Sequence, residues 1–166
     1  MIANLLEKIS ELEQQIATLK AEVEKKEKEK DPNKRWRAEE GCVYWFVVGV
    51  AICDWRHEYN QNIDIFNYDT HNYFQTEEEA REYAKVLETE RQLKRFADEH
   101  NDVIDWSNSL PKCCLSYNYD TQSISIDSAW ARREPRVIYF SSREIAQQAI
   151  DKIGTDKIKE YLTYEW

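Results

Sequence analysis

Four cysteines and three histidines are the side chains of this chain best suited to metal or nucleophilic chemistry. They are Cys42, Cys53, Cys113 and Cys114, with His57, His71 and His100. A structural zinc site needs closely spaced Cys or His ligands in two pairs. No C-x-x-C and no His pair at i, i+4 occurs. His57 lies near Asp54 and Glu58, and His71 near Asp69, but both groups read as polar turn residues. A reactive thiol needs a neighbouring base or positive charge. The cysteines fall instead in apolar, strand-like runs, where a thiol acts as a small apolar side chain. With only Gly41, Gly49 and Gly154 present, no glycine-rich phosphate loop and no G-x-S-x-G elbow can be assembled. The chain reads as non-enzymatic, with no catalytic residue, metal or cofactor.

Aromatic residues are the richer signal. Six tryptophans and ten tyrosines exceed what one small core uses, and Trp, Tyr and Arg dominate the energetics of protein interfaces. Trp130 lies in a loop-like stretch with Arg132, Arg133 and Arg136, the one basic cluster of residues 36–166. These four are the candidate partner-binding residues. Stacking by Trp130 and charge from Arg132 and Arg133 would also suit nucleic acid. Trp106, in Asp105-Trp106-Ser107-Asn108, reads as an anchor for the connection between two halves.

What positions these residues begins with a heptad pattern. Ile2, Leu5, Ile9, Leu12, Ile16, Leu19 and Val23 alternate spacings of three and four without a break. β-branched residues at a with Leu at d predict a parallel two-stranded coiled coil over residues 2–23. Leu6 at an e position widens the stripe and also admits a trimer or a helix docked on its own domain. The Glu/Lys run 22–30 continues the helix, and Asp31-Pro32-Asn33 ends it. Residues 1–35 are read as an oligomerisation helix with a charged linker, and 36–166 as the head.

The head predicts an α+β fold of two βββα-like units with antiparallel sheet, at about 36–104 and 105–166. Strands are expected at Val43–Ala51, Ile52–Glu58, Ile63–Tyr68 and Asn72–Phe74. A capping box, Thr76 with Glu79, should open a helix running from Glu77 to about Glu99. Strands follow at Lys112–Tyr119, Ser123–Ser128 and Arg136–Phe140. A helix then runs from Arg143 to about Ile153, Gly154 stops it, and Thr155 caps the last one. Tyr73-Phe74-Gln75-Thr76-x-Glu78-x-Ala80 matches Tyr139-Phe140-Ser141-Ser142-x-Glu144-x-Ala146 at an offset of 66 residues, which suggests a repeated unit.

Charge separates the parts. Residues 1–35 hold eight acidic and eight basic side chains, so the net charge of −9 falls on residues 36–166. An acidic head is a poor phosphate binder and a good match for a basic protein surface, including one that holds nucleic acid. No apolar run reaches the ~20 residues of a membrane span, and no apolar leader opens the chain. Reduced cysteines then point to a cytoplasmic location.

The order of features resembles small accessory proteins encoded by prophages of Gram-positive bacteria. The residues that carry the resemblance begin with the N-terminal heptads, Trp36-x-x-x-x-Gly41-x-x-Tyr44 and Asn72-Tyr73-Phe74-x-Thr76-x-Glu78-Glu79-Ala80. They continue with Asp105-Trp106, Tyr117-x-Tyr119-Asp120 and the Tyr139 to Ala146 motif, and close on Ile153-Gly154-x-x-x-Ile158-Lys159-x-Tyr161-Leu162. The Cys113-Cys114 pair stands where the resemblance would put aromatic strand residues. Such genes include inhibitors of host defence, anti-CRISPR proteins among them. The resemblance therefore implies a dimeric binding protein in the host cytoplasm, aimed at a host protein such as a CRISPR nuclease. A nucleic-acid-binding accessory protein and a virion structural or assembly component are the alternatives. If residues 1–30 form only an oligomerising stalk, their deletion leaves a head with an unchanged folded circular dichroism signal per residue in the β region; an unfolded or aggregating head overturns the stalk reading.

Overall fold

The computed structural model describes residues 8–9, 11–20, 35–49, 52–108, 110–129 and 133–165. The chain divides into two compact units, Met1–Arg37 and Ala38–Trp166. In the first, helix α1 covers residues 8–9 and 11–20. Its seam residues Ile9, Leu12, Ile16 and Leu19 are each more than half exposed. The other seam positions, Ile2, Leu5 and Val23, lie outside the described residues.

The second unit is mixed α+β. Its elements are β1 (Val43–Val48), β2 (Ile52–His57), α2 (Asn62–Asp69), α3 (Glu77–His100), β3 (Lys112–Asn118), β4 (Ser123–Ala129), β5 (Tyr139–Phe140), α4 (Arg143–Ile153) and α5 (Thr155–Thr163). Among the described residues there are thus five helices and two small antiparallel sheets, β1-β2 and β4-β3-β5. Among these, no strand of one half pairs with a strand of the other.

The turn and cap chemistry explains most boundaries. Thr76 accepts the Glu79 N–H at 3.2 Å, and the Glu79 carboxylate accepts the N–H groups of Gln75 and Thr76 at 2.9 and 3.2 Å. Four orphan donors at the start of α3 are thereby reduced, and Glu77, Glu78 and Glu79 sit at its positive end. Ser142 caps α4 in the same way through the Ile145 N–H. Asn118 turns the β3–β4 hairpin by accepting the N–H groups of Asp120 and Thr121. Gly154, at φ +102, ends α4 and is itself the residue before α5, so Thr155 is the first helical residue and not the cap.

Two expectations for the first half are corrected. Ile63–Tyr68 is not a strand but the body of α2. Asn72–Phe74 contributes one bridge, Phe74 with Trp45, in place of a full strand. The expected strand Arg136–Phe140 is also shorter, because Arg136 takes a left-handed φ of +66 after Pro135 and only Tyr139–Phe140 pairs. The first half is therefore not a βββα unit. It does share a connectivity with the second. β1 pairs β2 on one side and Phe74 on the other; β3 pairs β4 on one side and Phe140, through Cys113, on the other. In each half the aromatic bridge runs directly into a capped helix whose fourth residue, Ala80 or Ala146, has no exposed surface.

α3 joins the halves. It packs on β1 and β2, and also on α4 and α5. Its later residues Leu93, Phe96 and Ala97 meet Cys113, Phe140, Ala149, Ile150 and Ile158 in one apolar core. Nearer its start, Tyr83 lies between Phe74 and Tyr164, at ring-centroid distances of 5.1 and 5.9 Å. Phe140 is fully buried where β5 meets this core. Phe140→Ala is expected to cost about 3–5 kcal/mol in chemical unfolding, whereas the exposed turn residue Tyr119 should tolerate alanine with a change within about 0.5 kcal/mol.

Candidate functional site

The part of the surface with the clearest capacity to bind is the outward side of α2, and a buried polar cluster builds it. Asp64, in the first turn of α2, has no exposed surface. Its Oδ1 accepts the Tyr44 hydroxyl at 2.9 Å and meets Arg56 Nε at 3.2 Å. Its Oδ2 accepts the N–H groups of Tyr59 and Gln61 at 3.1 and 3.0 Å. A buried carboxylate is tolerable only when its oxygens are satisfied in this way. Burial works to raise the Asp64 pKa, but the two backbone donors, the Tyr44 hydroxyl and Arg56 outweigh it, so the net shift is downward. Tyr44 is pushed up to about 12, first by its own burial, and stays a donor.

Glu58 repeats the arrangement a few residues earlier. One carboxylate oxygen accepts the Asn60 N–H at 2.7 Å and the other the Tyr73 hydroxyl at 2.6 Å. The rings of Tyr44 and Tyr73 stack at 3.9 Å with an 11° interplanar angle. Asn67 donates to the Tyr44 hydroxyl at 3.2 Å. Among the described residues, no buried side-chain nitrogen or oxygen lacks a partner. Two carboxylates and two tyrosines thus tie β1, the end of β2, residues 58–61 and α2 into one piece. With its oxygens already engaged, the cluster is an anchor for the surface above it.

That surface is unusual in its polarity. α2 buries Asp64 and Asn67 and exposes Ile63, Ile65 and Phe66, the last at 60%. Its amphipathicity is inverted. Trp55 and Tyr59 are 50% and 54% exposed, Trp55 on the opposite face of the β1–β2 hairpin from Arg56 and Asp64. Trp55 meets His57 edge-on at 5.4 Å, and His57 lies against Tyr59 at 6.1 Å. A run of exposed aromatic residues therefore follows β2 into the 58–61 loop. β2 is also an edge strand, exposed along nearly its whole length.

Of the residues singled out from sequence, Arg133 and Arg136 are exposed. Arg133 lines a groove of about 450 Å3 with Lys94, Asp98, Asn101, Trp106 and Tyr139. Trp106 is anchored there, edge-on to Tyr139 at 4.9 Å and with Lys112 Nζ 5.4 Å from its ring centre. Trp130 and Arg132 lie outside the described residues. Cys42 is exposed just before β1 and not within a strand. Burial pushes the Cys53, Cys113 and Cys114 thiols up, which keeps them protonated and weakly nucleophilic. His100 stacks on Phe96 at 4.0 Å at the end of α3. Among the described residues no group of three or more Cys, His, Asp or Glu could hold a metal, and no helix is long and apolar enough to cross a membrane.

Trp55, Tyr59 and Phe66 were not separable from core aromatics by sequence. The one usable signal was the pair Asp54 and Arg56, which flanks Trp55 with charge, as edge strands often do. No protein-family model, no curated protein and no solved structure matches this chain.

The Asp64 cluster makes a measurable prediction. Asp64 has a lower pKa folded than unfolded, so its stabilisation is present above the unfolded carboxylate value of about 3.9 and is lost as pH falls through the folded value. Asp64→Ala should cost about 3–5 kcal/mol at neutral pH, since it strands the Tyr44 hydroxyl and two N–H groups. An Asp64→Asn chain should lose less stability than the parent between pH 5 and 3, read by urea unfolding at each pH.

Proposed function

We propose that this chain is a non-catalytic protein-binding module that acts as an oligomer, with the outward face of α2 as its docking surface. The observation that carries the reading is the inverted helix. Exposing Ile63, Ile65 and Phe66 while burying Asp64 and Asn67 works against burial of apolar surface, and a partner that covers the apolar side removes that penalty. Exposed aromatic residues such as Phe66 are enriched at interfaces, and the Asp64 cluster fixes α2 before binding, which lowers the ordering cost.

The partner best suited to the acidic head is a basic protein surface. A nucleic-acid-handling host protein has such a surface, and inhibition of a defence nuclease is the specific case that the sequence resemblance implies. The half-exposed heptad residues Ile9, Leu12, Ile16 and Leu19 support self-association through a parallel coiled coil. Two joined heads would bind a repeated or symmetric target with raised effective concentration.

Ile65→Ala with Phe66→Ala alters the exposed side of α2 and leaves the backbone donors to Asp64 intact. In quantitative pull-down from a host extract, with captured proteins identified by mass spectrometry, this variant should bind a captured partner about 30-fold or more weakly than the parent, the effect of losing about 2 kcal/mol at a hot spot. Leu110→Ala, at an exposed position elsewhere, should bind like the parent. Equal capture by all three chains would rule out the outward face of α2 as the docking surface.

A further inference from the structure

β2 has an open side whose composition matches itself. Trp45 exchanges backbone hydrogen bonds with Phe74 at 2.9 and 2.8 Å. Val47 does the same with the side-chain amide of Asn72, at 2.7 and 2.9 Å. The N–H and C=O groups of Trp45 and Val47 therefore point away from β2. In an antiparallel ladder their opposite residues, Trp55 and Cys53, must point away from β1 as well, and His57 follows by alternation. These three residues present the free edge. Its one internal cap is the Asp54 carboxylate, which accepts the Trp55 N–H at 2.8 Å. Among the described residues, no backbone group of another element bonds to Cys53, Trp55 or His57 on that side.

The other strand edges of the head take partners from outside the strand, although β4 takes only one. Asn72 and Phe74 cover β1. Asn101 covers β5 by donating to the Tyr139 carbonyl at 2.8 Å and accepting the Ser141 N–H at 2.9 Å. Arg143 reaches the Ile126 carbonyl on β4 at 3.1 Å. β2 alone among these is capped only by its own residue.

We propose that β2 pairs antiparallel with β2 of a second copy of this chain, about a two-fold axis at Trp55, to make a four-stranded sheet. The charges select this register. With Trp55 opposite Trp55, Asp54 of each copy lies opposite the second copy's Arg56, so both cross-strand pairs are attractive. Sliding one hydrogen-bonding step either way sets Asp54 opposite Asp54, or Arg56 opposite Arg56. Arg56 uses Nε and Nη2 on Asp64 and Gln61, and Nη1 serves the added carboxylate. On pairing, the second copy's Trp55 carbonyl takes the N–H that Asp54 holds in the single copy, and Asp54 turns to Arg56. The aromatic side chains of Trp55 and His57 stand out of the sheet plane, so pairing doubles the aromatic face and does not cover it. The inference rests on the open edge, independently of which target meets that face.

Cross-linking of the full chain tests it, in a Cys42→Ser background. In this register two residues at position 55 have Cα atoms about 5.5 Å apart, within disulfide reach, while two at position 59 are about 27 Å apart. Mild oxidation should give a disulfide-linked dimer from Trp55→Cys and none from the equally exposed Tyr59→Cys. Adding Asp54→Lys to Trp55→Cys should abolish the dimer with an unchanged circular dichroism spectrum. In the unsubstituted chain, raising the concentration should slow hydrogen exchange at the Cys53, Trp55 and His57 amides and leave those of Asp54 and Arg56 as they were. Equal cross-linking at 55 and 59, no cross-link at 55, or exchange that ignores concentration would each overturn the pairing.

Discussion

A two-stranded hairpin cannot bury a face alone, and a small three-stranded sheet needs a helix layer to close its core. Both sheets here face that constraint, and α3 answers it for both. At 24 residues it is about 36 Å long. It packs on the β1–β2 hairpin and supplies Leu93, Phe96 and Ala97 to the core under β3 and β5. Each half also contributes its own aromatic bridge and capped helix, but α4 and α5 cover the second sheet, and among the described residues no equivalent pair covers the first. The first half makes up the shortfall with polar bonds.

Those bonds explain the character of the surface. Where apolar area is scarce, Asp64 and Glu58 supply cohesion through directed hydrogen bonds to Tyr44, Tyr73 and the 58–61 backbone. Directed bonds fix positions more sharply than apolar contacts do, and they require the polar side of α2 to face inward. The apolar side is then left in water. Fold and exposed apolar side thus follow from one choice, the burial of a carboxylate in place of a hydrocarbon side chain.

The same choice decides what could be read from sequence. Local chemistry was legible: the Thr76 and Glu79 box and the Ser142 cap place the starts of α3 and α4 where the structure has them, and the turn at Tyr119–Gln122 joins β3 to β4. α2 was not legible, because Ile63 and Ile65 alternate like a strand and the buried residues of the helix are polar. Of the exposed aromatic run, Trp55 was visible only as one of six tryptophans. Whether Trp55 faces α3 or solvent depends on where α3 crosses the hairpin, which no local pattern encodes. Along α3, Val86 and Thr89 are buried where Leu87 is only partly so, a shift that arises because its two ends serve different sheets.

Asn72 and Asn101 each stand in for a strand, one amide serving as donor and acceptor to a β edge. That dual role ties the fold to the slow covalent ageing of asparagine, one of the thermolabile residues. Hydrolysis to aspartate keeps the acceptor and removes the donor. It would set a negative charge against the Val47 or Tyr139 carbonyl with almost no change in shape. The chain therefore carries two clocks at the margins of its sheets, and an old preparation would fray at β1 and β5 before its apolar core gave way.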